Sequence, residues 1–438
     1  VKDDRPNILL LLTDQQRLDT IRALGSRFDV ETPNMDRLVR EGVSLTNCHC
    51  TAPICSPSRS TLMTGLFPSQ AGMPGNLYAP CPPLSAGQMT IGKRLRATGY
   101  ETAYHGKWHL GGEVREHGFE IGEECSHDES TRLAAARFWR DRDWLEHDRP
   151  FFHVVSFLDP HDLYFFDPEA TVEGFERSWD NLDRAAEDYP EVPRGKRVDW
   201  DEARWSAYHK FYCERIAKVD RDIGLLLDDL RCSGFYPNTW IIFASDHGDM
   251  AGEQNIPFKG PFMYEGVTRV PLVVVPPRRR FKGDFGRPIP EEKIEVGRTE
   301  DGLCSLLDIV PTILDLAEVE RPETMEGRSL LPTVRGERTG AVHGTVFAEW
   351  HQPGVRMARS EDWKYVVYQD GGEELFHLAE DPAESRNRVS DPGAAEALAA
   401  LRVELQGHIE RSGDPRADLA KHAFTFTPEA WPRARPSA

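Results

Sequence analysis

Ile8-Leu9-Leu10-Leu11-Leu12 is the longest strongly apolar run in the chain, and it stops abruptly at Thr13-Asp14-Gln15-Gln16. A run of that length bounded by polar residues is a buried strand. The pattern recurs. Thr32-Pro33 opens a short helical stretch, Met35 to Glu41, which Gly42 closes, and Val43 to Asn47 returns to strand. Helical spacing around Ile91 to Ala97 precedes a strand near Glu101 to His105. The charged helical stretch Thr131 to Glu146 precedes the strand Phe151 to Phe157, and a long amphipathic helix from about Ala203 to Leu230 precedes Trp240 to Ala244. Val270 to Val275 and the apolar helix Leu306 to Leu316 complete the series. Strands alternating with helices predict an α/β fold with a large, mostly parallel mixed sheet flanked by helices.

Two stretches break the rhythm. Residues 159–201 are acidic, contain proline and lack periodicity, as expected of an active-site loop insertion. From Val346 short runs with turn signals follow one another, Val346 to Trp350, Trp363 to Tyr368 and Glu374 to Leu378, and then the helix Ala394 to Ile409. The expected organisation is a catalytic domain over residues 1–340 and a C-terminal subdomain over 341–438, with a small antiparallel sheet, a helix and an irregular tail after Gly413.

Composition narrows the function. A net charge of -19 argues against non-specific nucleic-acid binding, so a site for an anion must concentrate its cations locally. No run approaches the roughly 18 apolar residues needed to cross a bilayer, so no membrane partner is expected. Eight irregularly spaced cysteines make no disulfide framework, and Cys48, Cys50 and Cys55 with His49 lack the CxxC spacing of a zinc site. The expected location is cytoplasmic, or periplasmic or secreted if a leader has been removed. A homo-oligomer is left open.

The chemistry-bearing residues stand at predicted strand ends. Asp14 and the pair Asp246-His247 each follow an apolar strand, where open α/β sheets bind ligands. Carboxylates with one histidine suit Mg²⁺, Mn²⁺ or Ca²⁺. In Cys55-Ser56-Pro57-Ser58-Arg59 the proline suits a first helical turn, which puts Cys55 at a helix N-terminus and Arg59 one turn on. Lys107 and His109 follow a strand and, if extended, project to one side. His161 lies just past the strand Phe151 to Phe157, and Lys259 lies downstream of Asp246-His247.

The C-x-P-x-R motif with Thr64-Gly65 resembles the signature of the sulfatase family, within the alkaline phosphatase superfamily. Arg5-Pro6-Asn7 leading to Asp14, Thr32-Pro33-Asn34, Gly106-Lys107-Trp108-His109-Leu110-Gly111 and Ser245-Asp246-His247-Gly248 match in order, as does the closing segment from Glu374 to Asn387. The resemblance implies conversion of Cys55 to formylglycine by a modifying enzyme. It also implies one divalent metal, Ca²⁺ first and Mn²⁺ or Mg²⁺ as rivals, held by Asp14, Gln15, the modified Cys55, Asp246 and His247. Gln15 and His247 stand where many sulfatases have Asp and Asn, a combination similar to choline sulfatases and phosphonate monoester hydrolases.

The implied mechanism is attack on sulfur by the formylglycine hydrate, followed by release of sulfate as the aldehyde reforms, with His109 assisting. Arg59, Lys107 and Lys259 are implied to hold the diol and the sulfate oxygens, and His161 is preferred over Lys259 as proton donor because its ordinary pKa is nearer 7. Candidate substrate contacts are Asn76 and Tyr78, an aromatic wall of Tyr164, Phe165 and Phe166, and His351 and Arg356 from the C-terminal subdomain, with Glu349, Trp350 and Gln352 nearby. The leading expectation is a sulfate ester of a carbohydrate or small alcohol as substrate. A phosphonate monoester or phosphodiester hydrolase with the same nucleophile is the alternative, and an inactive sulfated-glycan-binding protein the remote one.

Overall fold

The computed structural model describes all residues except 1, 2, 4, 78–80, 143–148, 167–196, 279–293, 352–353 and 413–438. Its strands in chain order are β1 (Asn7–Asp14), β2 (Val43–Leu45), β3 (Cys48–His49), β4 (Glu101–Gly106), β5 (Ile121–Glu124), β6 (Phe151–Pro160), β7 (Thr239–Ser245), β8 (Arg269–Val270), β9 (Leu272–Val275), β10 (Arg298–Glu300) and β11 (Cys304–Ser305). Eight form one sheet in the order β10-β2-β9-β7-β1-β6-β4-β5, parallel except that β9 runs against both neighbours. The short β11-β3-β8 sheet stands apart. The expected strand Val270 to Val275 is therefore two strands in two sheets, split at Pro271, which has no N–H to donate to a ladder.

β1 shows why its apolar run is unbroken. All eight residues are buried, and alternate side chains feed opposite cores: Ile8, Leu10 and Leu12 pack with Phe152, Ile242 and Ile313, while Leu9 and Leu11 pack with Phe151, Phe243 and Ile223. The long helix runs Glu202–Cys232, and its N-terminus is capped by Asp201, whose side chain accepts from Arg204 N–H. The charged helix is Asp128–Arg140, and the end expected for it, up to Glu146, reaches beyond the described residues.

A second, four-stranded antiparallel sheet, β12 (Val346–Trp350), β13 (Val355–Arg359), β14 (Trp363–Tyr368) and β15 (Glu373–His377), packs on the helix Ala395–Ser412. Of the insertion expected over 159–201, residues 159 and 160 end β6, His161–Phe165 form a 3-10 turn, and 167–196 lie outside the described residues, as does the tail after Gly413. Among the described residues no helix is long and apolar enough to cross a membrane.

Candidate active site

Strand order assembles the site. β7, β1, β6 and β4 are consecutive and parallel, so their carboxyl ends line up, and the residues leaving them are Asp246-His247, Asp14-Gln15, His161 and Lys107. The turn after β4 is tight enough to require glycine: Gly106 has φ +104°, and a Cβ there would meet Ser156 O at 2.0 Å. Lys107 leaves that turn with its N–H on Ser156 O, 2.9 Å away.

The helix Cys55–Thr64 brings Cys55 to the same place from its N-terminus. Asn76 Oδ1 accepts the Ser56 N–H at 2.9 Å, which satisfies a donor of the first turn. The Asn76 side chain, expected to bond a substrate hydroxyl, thus uses its Oδ1 on the helix of Cys55. Tyr78 lies outside the described residues.

Asp14, Cys55, Asp246 and His247 are fully buried. Cys55 Sγ is 3.7 Å from Asp14 Oδ1 and 3.3 Å from His247 Nε2, and His247 Nε2 is 3.6 Å from both Asp14 Oδ1 and Asp246 Oδ1. A cation with ligands at about 2.4 Å sets neighbouring ligand atoms about 3.4 Å apart, so the spacing fits one hard divalent ion. The donor chemistry agrees: two carboxylates, an imidazole nitrogen and the position-55 side chain surround one point, and Gln15, next in sequence to Asp14, has a buried Oε1 without a hydrogen-bond partner. Cys48, Cys50 and His49 take no part in that group. Cys48 pairs in register with Cys304, and His49 faces Asn47 and Glu265.

Cations ring this anionic centre. Lys107 Nζ lies 2.6 Å from Asp14 Oδ2 and 3.6 Å from Cys55 Sγ. Lys259 Nζ lies 2.9 Å from both Cys55 Sγ and His247 Nε2. Arg59 behaves differently from expectation. Its Nε donates to Asp246 Oδ2 (2.8 Å), its Nη2 to Asp14 Oδ2 (2.9 Å), and its Nη1 to Lys107 O and Ser156 Oγ (2.7 and 2.8 Å). Every nitrogen of the guanidinium is thus engaged in tying carboxylates and backbone together rather than presented to a sulfate.

The field of this cluster is visible in its ionisation. Burial pushes the Cys55 thiol up, but Lys107, Lys259 and His247 outweigh it and hold it well below the ordinary thiol range. Asp14 likewise lies far below the usual carboxylate range, because the lysines outweigh burial and the sulfur's charge. Asp246 is raised by burial and by the charge of Asp14. Two carboxylates that repel each other in a dry site are what a divalent cation relieves.

His109 adds to the lowering of the Cys55 thiol, and the thiol in turn acts on His161, so both histidines border the site. Burial and the Lys107 charge take His161 down to about 3, which removes the reason for preferring it as proton donor. Burial opposes the Lys259 charge, yet Cys55 and Asp14 hold its pKa above the ordinary value. His109 does not reach the site by extended alternation with Lys107: its φ is +53°, and its N–H is held by Glu124 Oε1 at 3.1 Å.

The expected substrate residues divide. Tyr164 is at the site, stacked on Phe258 with centroids 4.6 Å apart and with Lys259 Nζ 5.5 Å from its ring centre. Phe165 is exposed, but Phe166 is buried among Tyr208, Phe211 and Trp200 and belongs to the core, not to a wall. His351 and Arg356 are buried too. Arg356 Nη2 lies 3.3 Å from His351 Nδ1, and His351 Nε2 lies 3.2 Å from Glu349 Oε1, so both belong to an internal cluster.

Sequence reasoning missed Ser156, Tyr208, Tyr212 and Asp249. Tyr212 hydroxyl donates to Gln15 O and accepts the Arg17 N–H, while Tyr208 hydroxyl joins Asp249 to the Phe258 N–H. Asp249 carried a signal, since it stands two residues past His247 in Ser245-Asp246-His247-Gly248-Asp249.

Known proteins resemble this chain in sequence and in fold. The sulfatase family model matches residues 6–319, and a model of the C-terminal region of N-sulphoglucosamine sulphohydrolase matches 252–411. The chain is 27% identical over 460 residues to a Delta 4,5-hexuronate-2-O-sulfatase of Bacteroides thetaiotaomicron, covering 95% of this chain and 91% of that one. It is 27% identical over 461 residues to a choline-sulfatase of Rhizobium meliloti, covering 89% and 83%. A solved structure described as a complex with its substrate D-glucosamine-2-N,6-O-disulfate has a TM-score of 0.78 at 22% identity, covering 95% of this chain and all of that one. A match that takes in both halves of the sheet and the helix bearing Cys55 leaves one conclusion: this chain belongs to the sulfatase family of the alkaline phosphatase superfamily and is a sulfuric ester hydrolase.

Proposed function

We propose that the substrate is a sulfate ester of a carbohydrate and that the nucleophile is a formylglycine hydrate made from Cys55. The observation that carries this reading is the position of Cys55 Sγ, inside the ring of Asp14, His247, Lys107 and Lys259. The carbohydrate assignment draws on relatives whose names specify hexuronate and glucosamine sulfates. Asp14, Asp246, His247, Gln15 and the residue at 55 hold one divalent cation, calcium with manganese as its rival. When bound, that cation supplies the positive charge that favours a deprotonated attacking hydroxyl at neutral pH.

The chain's own residues do the rest. Lys107 and Lys259 neutralise the sulfate oxygens in a dry site, where such charges count for most. Arg59 fixes the two carboxylates relative to the helix of Cys55. Lys259, whose ammonium also faces Asp14, delivers its proton to the leaving oxygen, and His161, neutral in the free protein, accepts hydrogen bonds. His109 takes the proton that lets the second hydroxyl expel sulfate.

Two measurements test the proposal. The Cys55 peptide from purified protein shows the mass loss of thiol-to-aldehyde conversion, and sulfated mono- and disaccharides release free sulfate faster than p-nitrophenyl phenylphosphonate is cleaved. A faster phosphonate reaction replaces the substrate class by the phosphonate one; an unmodified Cys55 in active protein removes the nucleophile. The Lys259→Ala variant assigns the proton: it slows sugar sulfates far more than p-nitrophenyl sulfate, whose leaving group needs no acid.

A further inference from the structure

We propose, resting on the site reading above, that Asp249 is a positioning residue that sets the Gln15 side-chain amide so that its oxygen, not its nitrogen, faces the cation. Gln15 follows Asp14 directly at φ +67°, and its backbone is held at both ends: its N–H reaches Asp246 Oδ1 at 3.2 Å, and its carbonyl accepts the Tyr212 hydroxyl at 2.8 Å. The side-chain amide remains to be set. Its two ends have one shape and opposite polarity, so the partner of one end decides what the other presents. Here Nε2 donates to Asp249 Oδ2 at 2.7 Å, and Oε1 is buried without a hydrogen-bond partner.

Asp249 is locked in turn. It is fully buried, and its Oδ1 accepts both the Tyr208 hydroxyl at 3.0 Å and the Ala251 N–H at 2.7 Å. The carboxylate therefore offers Gln15 an acceptor and nothing else. A carboxylate at this point is not needed for shape, because asparagine would fill the same space. It is needed for polarity. A neutral ligand oxygen is thereby presented to the ion without adding a third carboxylate to Asp14 and Asp246.

The experiment is calorimetric titration of EDTA-stripped protein with Ca²⁺ and, separately, Mn²⁺, for wild type, Asp249→Asn and the double variant Gln15→Glu/Asp249→Asn. In Asp249→Asn, Oδ1 keeps Tyr208 and Ala251 while the new amide nitrogen confronts Gln15 Nε2. The Gln15 amide then turns over, and ion binding weakens by at least ~10-fold, as for other residues that orient a ligand. In the double variant the introduced amide donates to one oxygen of the introduced carboxylate and leaves the other for the ion, so affinity returns to within about threefold of wild type, a reversal that general damage to packing does not produce. Should Asp249→Asn fail to fold, Tyr208→Phe, which removes one donor from Asp249, weakens binding about threefold. Wild-type affinity in Asp249→Asn, no recovery in the double variant, or an unchanged Tyr208→Phe each overturns the inference while the site reading stands. Wild-type protein that binds neither ion overturns the site reading and this inference together.

Discussion

Two of the buried polar clusters among the described residues, each of carboxylate and histidine, have opposite character. At the sheet ends, Asp14, Asp246, His247 and Cys55 point their ligand atoms at one another, and two carboxylates share one locus. Under the C-terminal sheet, Glu349 meets donors instead. Its Oε1 accepts the Ser69 N–H at 2.7 Å, and His351 and His408 approach at 3.2 and 3.8 Å. His408 is packed between Phe347, stacked at 4.3 Å, and Phe67. Burial would raise the Glu349 carboxyl, but the two histidines hold it well below the usual range. This cluster ties the C-terminal sheet to the segment before Gln70 through the Ser69 N–H. The other sets two carboxylates, an imidazole nitrogen and the position-55 side chain around one point, and that convergence, more than the presence of His or Asp, marks a site.

The largest effect that would break this contrast is on turnover. Cys55→Ala loses sulfate release by on the order of 10³-fold or more while the folded protein remains, because a small buried side chain is truncated and the precursor of the proposed nucleophile is lost. Next is the response to metal. Removing divalent cations from wild type with EDTA lowers its unfolding free energy, and restoring an ion at about 1,000 times its Kd returns about 4 kcal/mol. Glu349→Ala keeps that increment in full, and Asp14→Asn loses most of it. Third, Glu349→Ala itself costs about 3 kcal/mol in urea unfolding, since it strands a buried N–H and two histidines, while kcat/KM of the folded fraction stays within about tenfold of wild type. A His351→Ala variant that raises KM more than tenfold with unchanged unfolding would reverse the comparison and return His351 and Arg356 to the substrate site.

What was legible in the sequence follows the same division. Apolar runs ending in Asp14 and in Ser245-Asp246 place residues at strand ends, and parallel topology makes strand ends converge, so the meeting of Asp14, Asp246, His247 and Lys107 is readable without distances. The helix of Cys55 is readable from Pro57. Commitment of a side chain is not readable. Arg59 is spent on Asp14 and Asp246, residues 45 and 187 positions away. Asn76 caps a helix, and Phe166, which directly follows Tyr164 and Phe165, turns into the core. Backbone at Gln15, His109 and Phe258 enters the left-handed region that non-glycine residues seldom adopt, and no local pattern announces it. Asp249 was visible as a residue, but its role depends on the facing hydroxyl of Tyr208, placed by a helix whose register against the sheet is a tertiary property.

A third buried pair sharpens the contrast with the smallest effect. His105 Nδ1 and His153 Nε2 are 2.8 Å apart on adjacent strands β4 and β6, enclosed by Phe138 and Trp139 with the Arg142 charge nearby. Burial, then Arg142, lowers His105 to about 4 from 6.5, and burial lowers His153 well below its ordinary value. Both rings are neutral in the fold at pH 7. A histidine with a depressed folded pKa binds protons more readily when unfolded, so stability is fully present above pH 6.5 and declines as pH falls toward 4. At pH 5 the His105 shift alone withdraws about 2 kcal/mol. His105→Asn, which can still hydrogen-bond His153 but does not protonate, is close to wild type at pH 7 and shows a shallower loss between pH 6.5 and 5 in urea unfolding. The pair lies outside the metal cluster, so the slope is the same with and without divalent cation. A slope that disappears when the ion is bound would instead assign the acid sensitivity to the sheet-end carboxylates and imidazole.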